Sequence, residues 1–517
     1  VSETAARPRV FVLGFVESIH TVRAVEAMQR LGWEIHVVAS HPHWPHPAWH
    51  DVTLHVDPDF EPEEVGPGVE VRTLRRPPED GEPLVEGLSW NQRPEAVAGL
   101  IAELQPDLVN TMEIQHGAYV MLEARAYLDE APPWVVHNWG SDIYYFGRNP
   151  RHISRLKAVM TACDYYGAEC HRDIGLAQAF GFDGKLLPVL PNAGGFELGR
   201  LAALRLPGPT STRKAISLKA TESFVYRPHA ALDAIERCGE LLRGYTLYLY
   251  TATPRAIERA RAIGERFGIE VTVVSTAAEP VSHDEIMTMH GRSRISISLA
   301  QSDAICTAFL EAMVMGSFPI QSSTGCANAW AEAGQGAEFV PAEDVDRIEG
   351  ALRRALTDDQ LVDTAAIENA ATAAARLDRQ VVLGHAIEGY ERIAADISGE
   401  RPWEEFGPEV ADPVWAAERQ AEIDRAAESG WPRGEVGPEE RIEDWYDNEL
   451  IQRDAHISSL RDLVAAMGHS LDGFHRMLET PPPSVRSRLV PGRARAWVRA
   501  RAPHLADRLA GRRKDSQ

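Results

Sequence analysis

The sequence predicts two doubly wound α/β domains facing a common cleft, followed by a helical extension. Three observations carry that reading. From Val10 onward, short apolar runs alternate with apolar residues at helical spacing, the rhythm of parallel strands joined by crossover helices. The rhythm pauses in a stretch rich in Pro, Gly, Ser and Thr at 205–212 and then resumes. Beyond Ile397 it gives way to a different composition. A chain of 517 residues is also too long for one core.

Residues 10–13 form an apolar run ending in Gly14, which reads as a buried parallel strand. From His20 to Leu31, Val22, Val25, Ala27, Met28 and Leu31 share one helical face. Gly32 stops that helix, and Glu34–Ala39 is the next strand. A helix at 100–104 leads to a strand at 108–109, Trp134–His137 is a further strand, and 153–163 a further helix. The first domain closes around 187–195 and is assigned residues 1–206. In the second, 207–398, strands fall at 215–218, 246–250, 271–274, 295–299, 318–320 and 338–340. Helices fall at 229–242, 254–267, 284–290, 309–315 and 345–356. Right-handed crossovers between parallel strands place ligands at the carboxyl ends of those strands, here in the cleft.

The remaining chain divides into three. Residues 399–438 hold Pro402, Pro408, Pro413, Pro432 and Pro438 among acids and three tryptophans, an extended connector able to pack through its aromatics. In 439–480, Tyr446, Leu450, Ile457, Leu460, Val464, Met467, Leu471, Phe474 and Leu478 follow steps of three and four, broken once by Arg453. This heptad seam predicts a homodimeric coiled coil or a helix packed on its own body, with Gly468 and Gly473 weakening the helix. The tail, 481–517, is basic. Its Trp497 and apolar residues fit either a helix on an anionic membrane surface or an unstructured arm.

Charge narrows the partners. The chain carries 53 basic and 76 acidic residues, net −23. Residues 484–517 hold ten basic and two acidic residues, which leaves −31 on the first 483. A body of that sign argues against a nucleic-acid binder. No apolar stretch is long enough to span a bilayer, and the first ten residues lack the apolar core of a secretory signal. Five cysteines without a C-x-x-C pair suit a reduced, cytoplasmic location, possible membrane contact being confined to the tail.

The most informative stretch is SLAQSDAICTAFLEAMVMGSFPIQSSTGCANAW, residues 298–330. After a buried strand come Ser302 and Asp303, then a helix carrying Glu311. With the first turn at Ile305, Glu311 lies roughly 9 Å along the axis from the helix start. Two acids flanking a helix N-terminus can grip the hydroxyl-bearing ends of one ligand. Between them, unpaired backbone N–H groups and the helix dipole favour an anion such as a diphosphate. Read in isolation, the same pair would be a helix cap and a solvated glutamate.

The pair is not isolated. Asp303 and Glu311 stand where retaining glycosyltransferases of family four carry two glutamates at this spacing. The continuation Glu311-Ala312-Met313, Gly316, Pro319-Ile320 and Asn328–Trp330 resembles that family. So do His20-Thr21-x-Arg23, Pro106-Asp107-x-Val109, Trp139-Gly140-Ser141-Asp142, Cys163-Asp164 and Pro341-x-x-Asp344. The resemblance spans 8–397 and implies the GT-B fold and a cell-envelope or polysaccharide type of activity. It implies that Asp303 contacts the transferred sugar and Glu311 the ribose of a UDP- or GDP-linked donor. Ser302, Ile305, Cys306, Thr307, Ala308, Phe309 and Leu310 would line the donor, and Lys219 and Arg227 would grip its diphosphate. His20, Trp139, Asp142, Gly194 and Gly195 would face the acceptor, a saccharide or a lipid-linked sugar. The resemblance further implies front-face transfer, with a phosphate oxygen taking the acceptor's proton and no cofactor or metal. Two departures stand out: Asp303 is one methylene shorter than the family's glutamate, and the usual Gly-Arg pattern before the lysine is missing.

Other signals point elsewhere with less force. His41, His43, His46, His50 and His55 are ligand-type residues, but Pro42, Pro45 and Pro47 leave their geometry unset. Asp57-Pro58-Asp59 is a lone D-x-D. Leu13-Gly14-Phe15-Val16 replaces the glycine fingerprint of a dinucleotide dehydrogenase. A sugar-nucleotide epimerase and a catalytically silent scaffold of the same fold stay open alternatives. An epimer formed from donor alone would mark the first.

Overall fold

Strand β1 (Arg9–Gly14) sends alternate side chains into two different cores. Val10 and Val12 join Val37 and Leu54, whereas Phe11 and Leu13 join Ile101 and Val136. A strand buried on both faces belongs at the centre of a helix-covered parallel sheet, and β1 lies there. The computed structural model describes residues 7–40, 45–56, 65–74, 94–148, 150–223, 225–276 and 278–406. All of them belong to one unit, residues 1–452.

The first sheet continues with β2 (Glu34–Ala39), β3 (Thr53–Val56), β4 (Glu70–Thr73), β5 (Leu108–Met112), β6 (Trp134–His137), β7 (Tyr165–Gly167) and β8 (Lys185–Leu186). All pairs are parallel, in the order β4-β3-β2-β1-β5-β6-β7-β8, so the chain reverses direction across the sheet between β1 and β5. The second sheet holds β9 (Ala215–Lys219), β10 (Thr246–Tyr250), β11 (Glu270–Val273), β12 (Ile295–Ser298), β13 (Phe318–Ser322) and β14 (Glu338–Val340). Its order is β11-β10-β9-β12-β13-β14, again parallel, with the reversal between β9 and β12. Ile295 and Ile297 of β12 enter one core. On the opposite face Ser296 Oγ bonds Ser217 Oγ, Ser317 Oγ and His290 Nδ1 at 2.7–2.9 Å.

Chain order and packing disagree at the end of the second domain. Helix Arg379–Ile397, assigned by sequence to 207–398, crosses back to the first domain. Leu383, Tyr390 and Ile393 complete the core of Val10 and Val12. The Tyr390 hydroxyl receives Asn110 Nδ2 at 2.7 Å and lies 3.1 Å from His137 Nε2, while Asp396 pairs with Lys185 and Tyr165. By packing, the first domain therefore consists of two chain segments. Trp403 of the connector packs on Tyr165 with ring centres 5.5 Å apart. The rest of the connector, the heptad seam and the basic tail lie outside the described residues. Among the described residues, no helix is long and apolar enough to cross a membrane.

Candidate active site

The site begins at the reversal point of the second sheet, where two strand ends diverge and leave a crevice. β9 ends at Lys219, whose Nζ donates to the Tyr226 hydroxyl at 2.7 Å and lies 4.1 Å from the ring centre. β12 ends at Ser298, and the following loop carries Ser302 and Asp303. The helix spans Thr307–Met315, so it starts two residues later than Ile305. The Cys326 N–H bonds the Ala304 carbonyl at 2.7 Å and holds residues 304–306 as loop. Glu311 is therefore one turn into the helix, about 6 Å along the axis. Cys306 is the N-cap and makes no side-chain cap bond; the Phe309 N–H turns back to the Cys306 carbonyl at 2.9 Å, and the Thr307 and Ala308 N–H groups are the first-turn donors without an intrahelical acceptor. Ile305, Ala308, Phe309 and Leu310 turn their side chains into the core beside Met287, Met313 and Trp330. Only their backbone can meet a ligand. The buried Ser302 hydroxyl lacks a hydrogen-bond partner.

The two acids sit in contrasting environments. Glu311 is 7% exposed; His283 Nε2 lies 2.9 Å from one of its oxygens and His290 Nε2 3.7 Å from the other. Burial opposes its charge, yet the His283 hydrogen bond, both histidines and Lys219 together hold its pKa below the usual carboxylate value. Burial pushes Asp303 above the usual value, against the pull of Lys219 and Arg172. Glu311 is thus the permanent anion and Asp303 the more readily protonated one.

The first domain closes over Asp303. Gly140 adopts φ +27°, and a Cβ there would lie 2.8 Å from Asp303 Oδ1. Arg172, 3% exposed, pairs with Asp173 at 2.8 Å and donates to the Thr324 and Asp303 carbonyls at 2.7 and 2.9 Å, tying the two domains at this loop. Trp139 packs edge-on against Phe15 and His20, with ring centres 5.4 and 5.9 Å apart. His20 Nδ1 lies 3.1 Å from the Asn192 carbonyl; burial, then Arg23, lowers its pKa. His137 instead meets the Tyr390 hydroxyl, 3.1 Å from its Nε2.

Four predicted site residues have other work. Asp142 does not line the cleft: its carboxylate is buried and accepts the Trp139 and Ile114 N–H groups at 2.8 and 3.0 Å, fixing the Trp139–Gly140 turn from behind. Burial and the nearby Glu113 push its pKa well up. Arg227 turns from Lys219 to Glu343, 2.5 Å away, and to the Ser223 and Tyr226 carbonyls. Gly195, at φ +76°, faces the returning helix, where a Cβ would lie 2.8 Å from Arg379 Cα. Gly194, at φ +69°, lies against Arg23 in the same way. All five cysteines are buried. Among the described residues no His, Cys, Asp or Glu group could hold a metal ion. His55 instead bonds His36 at 3.0 Å, while His41, His43, Asp57 and Asp59 lie outside the described residues.

Residues 18–173 match the family model described as glycosyl transferase 4-like domain. The matched segment supplies His20, Trp139, Gly140 and Arg172, the surface that meets Asp303. Among solved structures, sucrose-phosphate synthase from Thermosynechococcus elongatus aligns over 75% of this chain and all of its own, with 15% identity and a TM-score of 0.55. HepE from Anabaena, crystallised with UDP and glucose, aligns over 76% of this chain and all of its own, with 15% identity and a TM-score of 0.51. The α,α-trehalose 6-phosphate synthase of Burkholderia multivorans aligns over 77% of this chain and all of its own, with 14% identity and a TM-score of 0.53. At these identities the likeness establishes the fold, GT-B: two parallel-sheet α/β domains about a cleft. No curated protein matches the chain.

Sequence reasoning did not find His283, His290, Tyr226 or Arg172. His283, His290 and Arg172 reach Glu311 and the Asp303 carbonyl from distant segments, and Tyr226 meets Lys219 across a loop of irregular spacing, so no local periodicity announces these pairings. The Ser282 capping box that starts the helix of His283 was the nearest signal.

Proposed function

We propose that the protein is a retaining, metal-independent glycosyltransferase that moves a sugar from a UDP- or GDP-linked donor to a saccharide or lipid-linked acceptor. The observation that carries this is the bracketing of one helix N-terminus by Asp303 and Glu311, with Lys219 on the neighbouring strand and Gly140 closing from the other domain. Glu311, ionised between two histidines, suits the two hydroxyls of a ribose. The Thr307–Met315 N-terminus and Lys219 suit the diphosphate, whose charge grows as its bond to the sugar breaks. Asp303 suits the hydroxyls of the transferred sugar, and the orphan Ser302 hydroxyl lies beside it. An acceptor entering along His20 and Trp139 approaches the same face that the diphosphate leaves. A phosphate oxygen can then take the acceptor proton, and no side-chain base is required. The Anabaena neighbour's UDP and glucose support a nucleotide-sugar donor.

The test is incubation with UDP- and GDP-sugars and candidate acceptors, with the anomeric proton followed by NMR. A product with the donor's anomeric configuration, formed equally in excess EDTA, is expected. An inverted anomer or strict metal dependence rejects the mechanism. The sequence also supports dimerisation through 439–480 and anionic-membrane contact through 484–517. Sedimentation of a chain ending at Gly437 and liposome flotation of one ending at Pro483 test these, and unchanged mass or flotation rejects them.

A further inference from the structure

Behind His283 the two domains enclose a second space, a cavity of about 310 Å³. Neither Asp303, Lys219 nor Trp139 lines it. Its polar wall combines Arg23 and Glu26 of the first helix (Ile19–Arg30), Glu197 and Arg200, Arg379 of the returning helix, and His50 and His283. Ile19, Val22, Phe196 and Leu201 supply an apolar floor. The volume is at the small end of ligand pockets, which run to roughly 300–1,000 Å³.

Two of the three arginines in this wall are in ion pairs. Arg379 pairs with Glu26, and Arg200 pairs with Glu197 at 2.8 Å and with Asp284. Arg23 is half-buried and donates to the Ala193 carbonyl, but among the described residues no carboxylate lies within ion-pair distance of it. Burial and the neighbouring Arg379 both act against its charge. Gly194 permits this placement, since a Cβ there would lie 2.9 Å from Arg23 Cβ. Glu311, Glu26 and Glu197 favour the Arg23 charge from a distance, but a desolvated guanidinium without a direct ion pair is costly, and an anion entering the cavity would supply that pair. The planar fork of arginine matches phosphate oxygens in pairs.

We infer that this cavity binds a small phosphorylated ligand, with its phosphate on Arg23 and its body on the apolar floor. The cavity shares His283 with the donor site, where that ring bonds Glu311, but binding on Arg23 does not depend on the glycosyltransferase reading. Because both domains build its walls, the ligand also favours the closed arrangement.

Thermal melting of the full chain against inorganic phosphate tests the site in wild type, Arg23→Ala, Arg23→Lys and Lys219→Ala. Phosphate should raise the Tm of wild type and Lys219→Ala alike. The apparent phosphate affinity should fall at least tenfold in Arg23→Ala and return in part in Arg23→Lys. Circular dichroism checks the fold, and Arg200→Ala, with a weaker loss, serves if Arg23→Ala does not fold. Equal phosphate stabilisation of wild type and Arg23→Ala, or none in wild type, overturns the proposal. Failure of nucleoside diphosphates to stabilise wild type would sink the donor reading and leave this one standing. A hexose 6-phosphate added with donor separates the sources. Its Arg23-dependent conversion marks an acceptor phosphate, and Arg23-dependent stabilisation without conversion marks a free effector. A hexose phosphate whose effect ignores Arg23 counts against the site.

Discussion

Replacing Gly140 by alanine tests the closure of one domain on the other. The new Cβ would stand 2.8 Å from Asp303 Oδ1 and 3.6 Å from the Ala304 nitrogen, at a backbone φ of +27° that side-chain-bearing residues avoid. The strain alone costs about 1–3 kcal/mol of stability. Contact with the flexible carboxylate is relieved by rotating Asp303 or by backing the Trp139–Gly140 turn away, a displacement of the order of 1 Å. Misplacement on that scale lowers turnover about 100-fold. Glu311 and Lys219 are untouched, so nucleotide affinity should stay within about twofold. The assay is nucleoside diphosphate release at saturating donor, paired with calorimetric affinity and a thermal melt. Wild-type turnover in a folded Gly140→Ala protein would refute the claim that this approach shapes the site.

Lys219→Ala should cost about 3 kcal/mol of transition-state stabilisation, a turnover loss of about 100-fold or more, measured by steady-state kinetics. The acid limb of the rate profile should report Asp303: it must be ionised to receive sugar hydroxyls, and burial raises its pKa, so activity falls with pH before an ordinary aspartate would titrate. A limb unchanged in the residual activity of Asp303→Asn would reassign it. His290 predicts a stability change. Burial depresses its pKa to about 4, so as pH falls below about 6.5 the unfolded chain takes up the proton first. Stability should fall by about 1.4 kcal/mol per pH unit, about 3 kcal/mol in all by pH 4. Denaturant melts of wild type and His290→Gln across that range measure the difference.

The sheets were legible because burial writes itself into local pattern. The sequence placed Trp134–His137, Thr246–Tyr250 and Glu338–Val340 with their observed limits, as it did the helix Pro254–Phe267. It missed β4, all four residues of which are exposed, and β8, which has two residues; neither leaves an apolar signature. It also missed Asp359–Arg376, whose buried stripe of Val362, Ala365, Asn369 and Ala373 is mostly small residues. At the site, Asp303, Glu311 and Lys219 were singled out because two acids and a cation stand at informative distances from strand and helix ends. Asp142 and Arg227 were misjudged for a shared reason. A charged side chain beside a cleft can turn toward backbone or a distant partner, as these do toward the Trp139 N–H and Glu343. Nothing in local spacing decides which way it turns.

The central claim is that the crevice around the Thr307–Met315 N-terminus holds a nucleoside diphosphate sugar, and calorimetric titration tests it most directly. UDP, GDP and their sugars are titrated into wild type and Glu311→Ala. One nucleotide should bind wild type at a single site, and Glu311→Ala should lose about 1.5–3 kcal/mol, a Kd about 10–150-fold weaker, through the missing charge-assisted bonds to the ribose. No heat with any nucleotide, or equal affinity in the two proteins, would contradict the account.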